Sequence, residues 1–135
     1  MIKHIATIEI PVSDLHRSIE WYTGNLELTC AFKGKTNAML SFGNTSPTIF
    51  LVETEEVIPP AFRNTYTGTE HSVVDFYTAD LAETHRKLKE NGVEAGRLNV
   101  MEGSQMGGFG FKDPDGNPLS VTNVLHEGQE GFDLK

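Results

Sequence analysis

Asp14-Leu15 and Asp80-Leu81 stand 66 residues apart, and so do Ser18 and Thr84, and Asn25 and Asn91. Each trio brackets a short amphipathic stretch. In the first, Leu15, Ile19 and Tyr22 recur at i, i+4 and i+7; in the second, Leu81 and Leu88 carry the apolar stripe. Ser13 and Asp14 offer caps to the first helix, with Gly24 as its stop. Asp80 caps the second, with Glu83 three residues on as a capping box, and Gly92 ends it. Two capped helices at one constant offset predict a duplicated module.

The flanks repeat too. Before the first helix, Ile8, Ile10 and Val12 alternate with Thr7, Glu9 and Pro11, a half-buried strand. After it come strands at 26–32, 38–42 and 48–52, separated by turns at 34–37 and 43–47. Before the second helix, residues 73–77 read as a strand; after it, strands fall near 93–100, 108–112 and 118–124. The expectation is an α+β fold: two tandem βαβββ modules forming a curved mixed-sheet cup with helices on the outer face. One domain spans 1–135, with module 1 about 1–53, a connector at 54–70, module 2 about 71–125 and a polar tail at 126–135. Alternation sets Ile8, Ile10, Ser72, Val74, Phe76, Leu119 and Val121 under the helices. The other face, the cup, then carries Thr7, Glu9, Phe50, Val52, His71, Val73, Asp75, Tyr77, Ser120 and Thr122.

Composition matters chiefly for what it excludes. The 135 residues carry 11 Lys and Arg against 19 Asp and Glu, a formal charge of −8. A nucleic-acid or anionic-membrane surface needs clustered cations, so neither is expected as a partner. Cys30 is the one cysteine; it excludes an intrachain disulfide and reads as a small buried hydrophobe. Met1-Ile2-Lys3-His4-Ile5 lacks the apolar run of a signal peptide, and no stretch is long and apolar enough to span a bilayer. A cytoplasmic protein is expected.

Lys112-Asp113-Pro114-Asp115-Gly116-Asn117-Pro118 is a turn, with Pro114 presetting φ, Asp115 and Asn117 capping it and Gly116 accepting positive φ. The glycine-rich run 103–110 is not a dinucleotide fingerprint, since no helix follows it; it reads as a loop, a candidate lid over the cup. Trp21, Phe32, Phe42 and Phe50 are expected to pack in the core or the cup, with a stacking platform for an aromatic ligand as the sharper alternative. Glu9 and Asp75 hold equivalent module positions, again 66 apart. Such a pair either divides acid and base roles or binds a basic or hydroxylated ligand. His71 and Tyr77 border the same face and complete a possible proton-moving group with Asp75.

Residues 12–22 followed by Asn25-Leu26-Glu27-Leu28, then Ala79-Asp80-Leu81 through Asn91-Gly92-Val93, then Phe111 to Asn117 together resemble the vicinal oxygen chelate superfamily. That superfamily includes glyoxalase I, extradiol dioxygenases, fosfomycin resistance enzymes and bleomycin resistance proteins. The resemblance covers residues 2 to 125 and implies a cup in which metal-dependent members place four His or Glu ligands. Carried over position by position, those four fall on Thr7, Phe50, Val73 and Ser120. Two are hydrocarbon and two are neutral hydroxyls, so no metal or other cofactor is expected. His71 and Glu53 are the neighbours that a displaced metal set would recruit. The resemblance implies a metal-independent small-molecule binding protein of the glyoxalase/bleomycin resistance type, acting as a homodimer. Its ligand-binding candidates are Thr7, Glu9, Phe50, Val52, Val73, Asp75, Ser120 and Thr122. The alternative is a lyase, isomerase or dioxygenase with a displaced metal site or a Glu9/Asp75 acid-base pair, its catalytic candidates being Glu9, Asp75, His71 and Tyr77.

Overall fold

The computed structural model describes residues 1–130. In chain order it runs β1 (Thr7–Val12), α1 (Leu15–Leu26), β2 (Thr29–Lys33), β3 (Asn37–Ser41) and β4 (Thr48–Glu53). It continues β5 (Ala61–Arg63), β6 (Glu70–Ser72), β7 (Asp75–Tyr77), α2 (Leu81–Glu90), β8 (Asn99–Val100), β9 (Gly107–Lys112) and β10 (Pro118–Thr122). The described residues divide into two compact units, one of Met1–Pro59 with residues 128–130, the other Pro60–Glu127.

The first unit is a four-stranded open sheet in the order β1-β4-β3-β2. β1 runs parallel to β4, and the remaining pairs are antiparallel. Helix α1 packs on β2, β3 and β4. Ile10, Val12, Leu15, Tyr22, Leu40, Ile49 and Leu51 fill the layer between them and are buried, which is where the alternation put the apolar face. Asp14 caps α1 by accepting from the Arg17 N–H at 3.1 Å. Glu53, at the end of β4, reaches back and accepts from the Leu15 N–H at 2.8 Å, supplying a second acceptor and a negative charge to the helix start.

The second unit repeats this plan in the order β7-β10-β9-β8, with β7 parallel to β10. Val74, Leu81, Leu88, Phe109, Phe111, Leu119 and Val121 are its buried core. Asp80 caps α2 through the Glu83 N–H at 3.1 Å. The helix ends in a Schellman motif: Val93 N–H donates to Leu88 O at 2.9 Å and Gly92 N–H to Lys89 O at 3.0 Å. Gly92 sits at φ +79, which glycine adopts without strain. Two modules of one topology, α+β with mixed open sheets, therefore stand where the 66-residue offset placed them.

Several expectations change. Helix α1 runs through Gly24 to Leu26, and Glu27 takes the left-handed cap at φ 59, so the next strand starts at Thr29 rather than at residue 26. The capping box is half made: the Glu83 carboxylate turns to Arg86, whose guanidinium offers a charge-assisted pair. Within 54–70, residues 61–63 form β5, which pairs with β6 as a hairpin. The 73–77 strand shortens to 75–77. That break shifts the alternation, and Ser72 turns toward Ser120 rather than under the helix. The 93–100 strand reduces to Asn99–Val100 and one bridge, Ala95 to Phe111.

Cys30 is half-buried because β2 is an edge strand. Phe32 and Phe42 are exposed, not core. Half of the glycine-rich run is β9 itself, since residues 107–110 pair with β8 or β10. Of the tail, residues 131–135 lie outside the described residues.

Candidate functional site

The floor of the site in the second unit is set by the turn at 113–117. Asp113 is buried; its Oδ1 accepts from the N–H groups of Asp115 and Asn117, both at 2.9 Å, and its Oδ2 from Asn117 Nδ2 at 2.8 Å. Gly116 takes φ +80. A turn pinned this firmly fixes the register beyond it: Pro118 faces Lys112, Leu119 faces Phe111 and Ser120 faces Gly110. Residues directly opposite in an antiparallel pair share a face, so Gly110 lies beside Ser120 on the side away from the core. On its other flank Ser120 neighbours Asp75 through the parallel β7–β10 pair.

A chain of hydroxyls crosses this floor. Ser72 Oγ donates to Ser120 Oγ at 3.0 Å, and Ser120 Oγ donates to Asp75 Oδ1 at 2.8 Å. The Val74 carbonyl lies 3.2 Å from both hydroxyl oxygens and is the alternative acceptor for each. The proton order that satisfies all three groups at once ends on the Asp75 carboxylate. Around this chain lies a cleft of about 580 Å³, within the range of small-molecule sites. Its rim carries Glu70, His71, Glu94 and Lys112. Lys112 Nζ stands 3.5 Å from Glu94 Oε2. The His71 ring stacks on Phe62 across the β5–β6 hairpin, centroids 5.1 Å apart and 16° from parallel.

Of the sequence-derived candidates, the cleft gathers Asp75, Ser120 and His71. Val73 is exposed and outside the lining, its N–H donating to Pro60 O at 3.3 Å. Tyr77 and Thr122 are register partners farther along the sheet. Thr122 Oγ1 donates to Gly107 O at 3.0 Å and so ties β10 to β9. In the first unit, Glu9 faces Phe50 in the parallel β1–β4 register, the counterpart of Asp75 and Ser120. Glu9 is exposed. Thr7 faces Thr48, and Val52 faces Pro11 on β1 and Asn37 on β3.

The side chains at the four carried-over positions fit a divalent metal poorly. Phe50 and Val73 have no donor atom, Thr7 has a neutral hydroxyl, and the Ser120 hydroxyl is already committed to Asp75. The displaced candidates are engaged as well, Glu53 on the α1 N-terminus and His71 on Phe62. No three His, Cys, Asp or Glu side chains converge as a metal-holding group among the described residues.

Sequence reasoning missed Ser72, Glu70, Gly110, Glu94 and Lys112. Gly110 and Lys112 were within reach, because centring the hairpin on Asp115 pairs 110 with 120 and 112 with 118. Glu94 belongs to a stretch read as regular strand, and Ser72 depended on the break at 73–74. On α2, His85 is half-buried: its Nε2–H donates to Gly96 O at 2.9 Å and its ring edge meets Phe109, centroids 4.7 Å apart.

A model of the Glyoxalase/Bleomycin resistance protein/Dioxygenase superfamily matches residues 2–121. Among characterised proteins, the glutathione transferase FosA of Serratia marcescens is 27% identical over 121 residues, 90% of this chain and 81% of that protein. Among solved structures, the fosfomycin resistance protein FosX of Listeria monocytogenes superposes with a TM-score of 0.75 at 15% identity, covering 94% of this chain and 98% of its own. TnmS3, an antibiotic binding protein of Streptomyces sp. CB03234, gives 0.70 at 19% identity over 92% of this chain and 98% of its own.

Proposed function

The chain belongs to the glyoxalase/bleomycin resistance protein/dioxygenase superfamily, and on that premise we propose that it is a small-molecule binding member that holds its ligand without a metal ion, in the cleft of the second unit. The observation that carries this reading is the Ser72–Ser120–Asp75 chain. The resemblance puts one of the four ligand positions of metal-dependent members on Ser120, whereas here a neutral hydroxyl is bound to a neighbouring carboxylate. A carboxylate and two hydroxyls can orient a ligand by hydrogen bonds, and the half-apolar lining supplies the rest of the affinity. The fold shared with the antibiotic binding protein TnmS3 supports a binding role. A homodimer in the cytoplasm is part of the same proposal, and the charge of −8 supports a protein without nucleic-acid or membrane partners.

One observation favours a second reading. The 27% identity to a glutathione transferase points to a transferase, with Glu9 or Asp75 as proton-transfer groups or with a metal at a displaced set. The two readings part in one experiment. The purified protein is incubated with glutathione and fosfomycin, with and without Mn²⁺, and free thiol is followed while sedimentation reports the oligomer. The binding reading predicts thiol loss at the protein-free rate in both samples, and a dimer at micromolar concentration. Thiol loss that requires the protein would overturn it, and a monomer would overturn the dimer.

A further inference from the structure

Three glycines of β9 differ in why they are glycine. A Cβ on Gly107 would lie 2.2 Å from Asn99 O, and one on Gly108 would lie 2.7 Å from Val121 O. Both are demanded by the close approach of neighbouring backbone. A Cβ on Gly110 would find only Leu119 O, at 3.7 Å, an ordinary contact; one on Gly96, whose N–H donates to Gly110 O at 2.8 Å, would find that same oxygen at 3.5 Å. Neither residue takes a positive φ. Glycine inside a strand forfeits side-chain packing and backbone entropy, and where the fold does not require it, it often marks a close-approaching ligand. Both bare positions line the same cleft, and Gly110 lies beside Ser120 in its floor.

The charge of that cleft is one-sided. Glu70, Asp75 and Glu94 line it against Lys112, and Lys112 is held by Glu94. Arg63 stands opposite Glu70 in the hairpin but lies outside the lining. Asp75 uses only Oδ1 within the described residues, on the Ser120 hydroxyl.

We infer that the cleft takes a flat, cationic ligand, its ammonium or amidinium group on Asp75 and its flat body on the bare backbone of Gly96 and Gly110. Gly110 is thus a specificity-determining residue, its missing side chain being the space that the ligand fills. Lys112 opposes the cation less because Glu94 Oε2 stands 3.5 Å from its Nζ, and the Ser72–Ser120 hydroxyls hold the Asp75 carboxylate in one orientation. The inference rests on the reading of this cleft as a metal-free ligand seat and names the chemistry the seat selects.

Two probes share a ring and differ in charge, tryptamine and indole-3-propionate. Each is titrated into the protein in the presence of EDTA, and backbone amide shifts are followed by NMR. Tryptamine should shift cleft amides at 94–96, 110–112 and 118–120, and indole-3-propionate should not. Asp75→Asn should weaken tryptamine about fivefold, the worth of one partly exposed charge pair. Gly110→Val should abolish binding while leaving the thermal midpoint unchanged or raised, because valine suits a strand and its Cβ meets only an ordinary contact there. A structural role for Gly110 would lower that midpoint and would overturn the assignment. Equal or tighter binding of indole-3-propionate would overturn the cation preference yet leave the metal-free seat standing. Binding of either probe only after Mn²⁺ or Zn²⁺ is restored would overturn the metal-free seat, and binding of neither under any condition would overturn the inference.

Discussion

Ser18 and Thr84 occupy the same turn of their two helices, yet their surroundings treat them oppositely. Ser18 is fully buried and its hydroxyl has no hydrogen-bond partner among the described residues. Thr84 Oγ1 shares a hydrogen bond with Thr78 Oγ1 and reaches the Asp80 carbonyl, both at 2.8 Å. An unpaired buried hydroxyl costs about 1–3 kcal/mol, and alanine is the better helix former. Ser18→Ala should therefore stabilise the protein by about 1 kcal/mol, raising the thermal midpoint by on the order of 3 °C. Thr84→Val removes a satisfied hydroxyl and should lower stability by about 1 kcal/mol. Calorimetry on both variants reads the difference, and a destabilised Ser18→Ala would mean that its hydroxyl has a partner in solution. The repeat made the two positions legible as equivalents in the sequence. It could not reveal that only one hydroxyl is satisfied, because that depends on side-chain orientation and on Thr78, which has no hydroxyl counterpart at Val12.

At the scale of elements, caps and turns were the most legible features, since a short side chain bonding its own backbone is a local event. Asp14, Asp80 and Gly92 act where the sequence put them, and the 113–117 turn forms where expected, though Asp113 is the side chain that accepts from its backbone N–H groups. What failed was decided by neighbours at a distance. Glu83 left the capping box because Arg86, one turn on, binds both its oxygens at 2.6 and 3.0 Å, while Arg86 also reaches Glu90. The hydrogen bonds from Arg86 hold the Glu83 carboxyl below its ordinary value. A carboxylate whose folded pKa is depressed contributes stability above its unfolded value, near about 4.3, and loses it as pH falls through the lower folded value. Arg86→Gln should thus weaken amide protection in α2 at neutral pH, with the gap from the parent protein closing below about pH 4. All three side chains are solvent-exposed, so the gap should be small and should shrink further in 1 M salt, where charges are screened over about 3 Å. Hydrogen exchange across that pH range checks it, and a gap that persists at low pH would assign Arg86 a packing role instead.

For the whole molecule, the duplicated plan was legible because it rests on periodicity and turn chemistry, and both units keep the strand order it implies. The candidate site was legible only in part. Asp75 and Ser120 follow from the hairpin register and the module offset, whereas Ser72 follows from an irregular link at 73–74 that no alternation rule anticipates. The central claim is that the Ser72–Ser120–Asp75 chain holds a ligand without a metal ion. Metal content tests it most directly: the protein is purified without chelator, from cells supplied with Mn, Fe, Co, Ni and Zn, and assayed by elemental analysis. The account predicts a substoichiometric trace of each, with no rise in thermal midpoint when any is added back. About one equivalent of a single metal per chain, whose removal by EDTA lowers the midpoint as mass action requires, would contradict it.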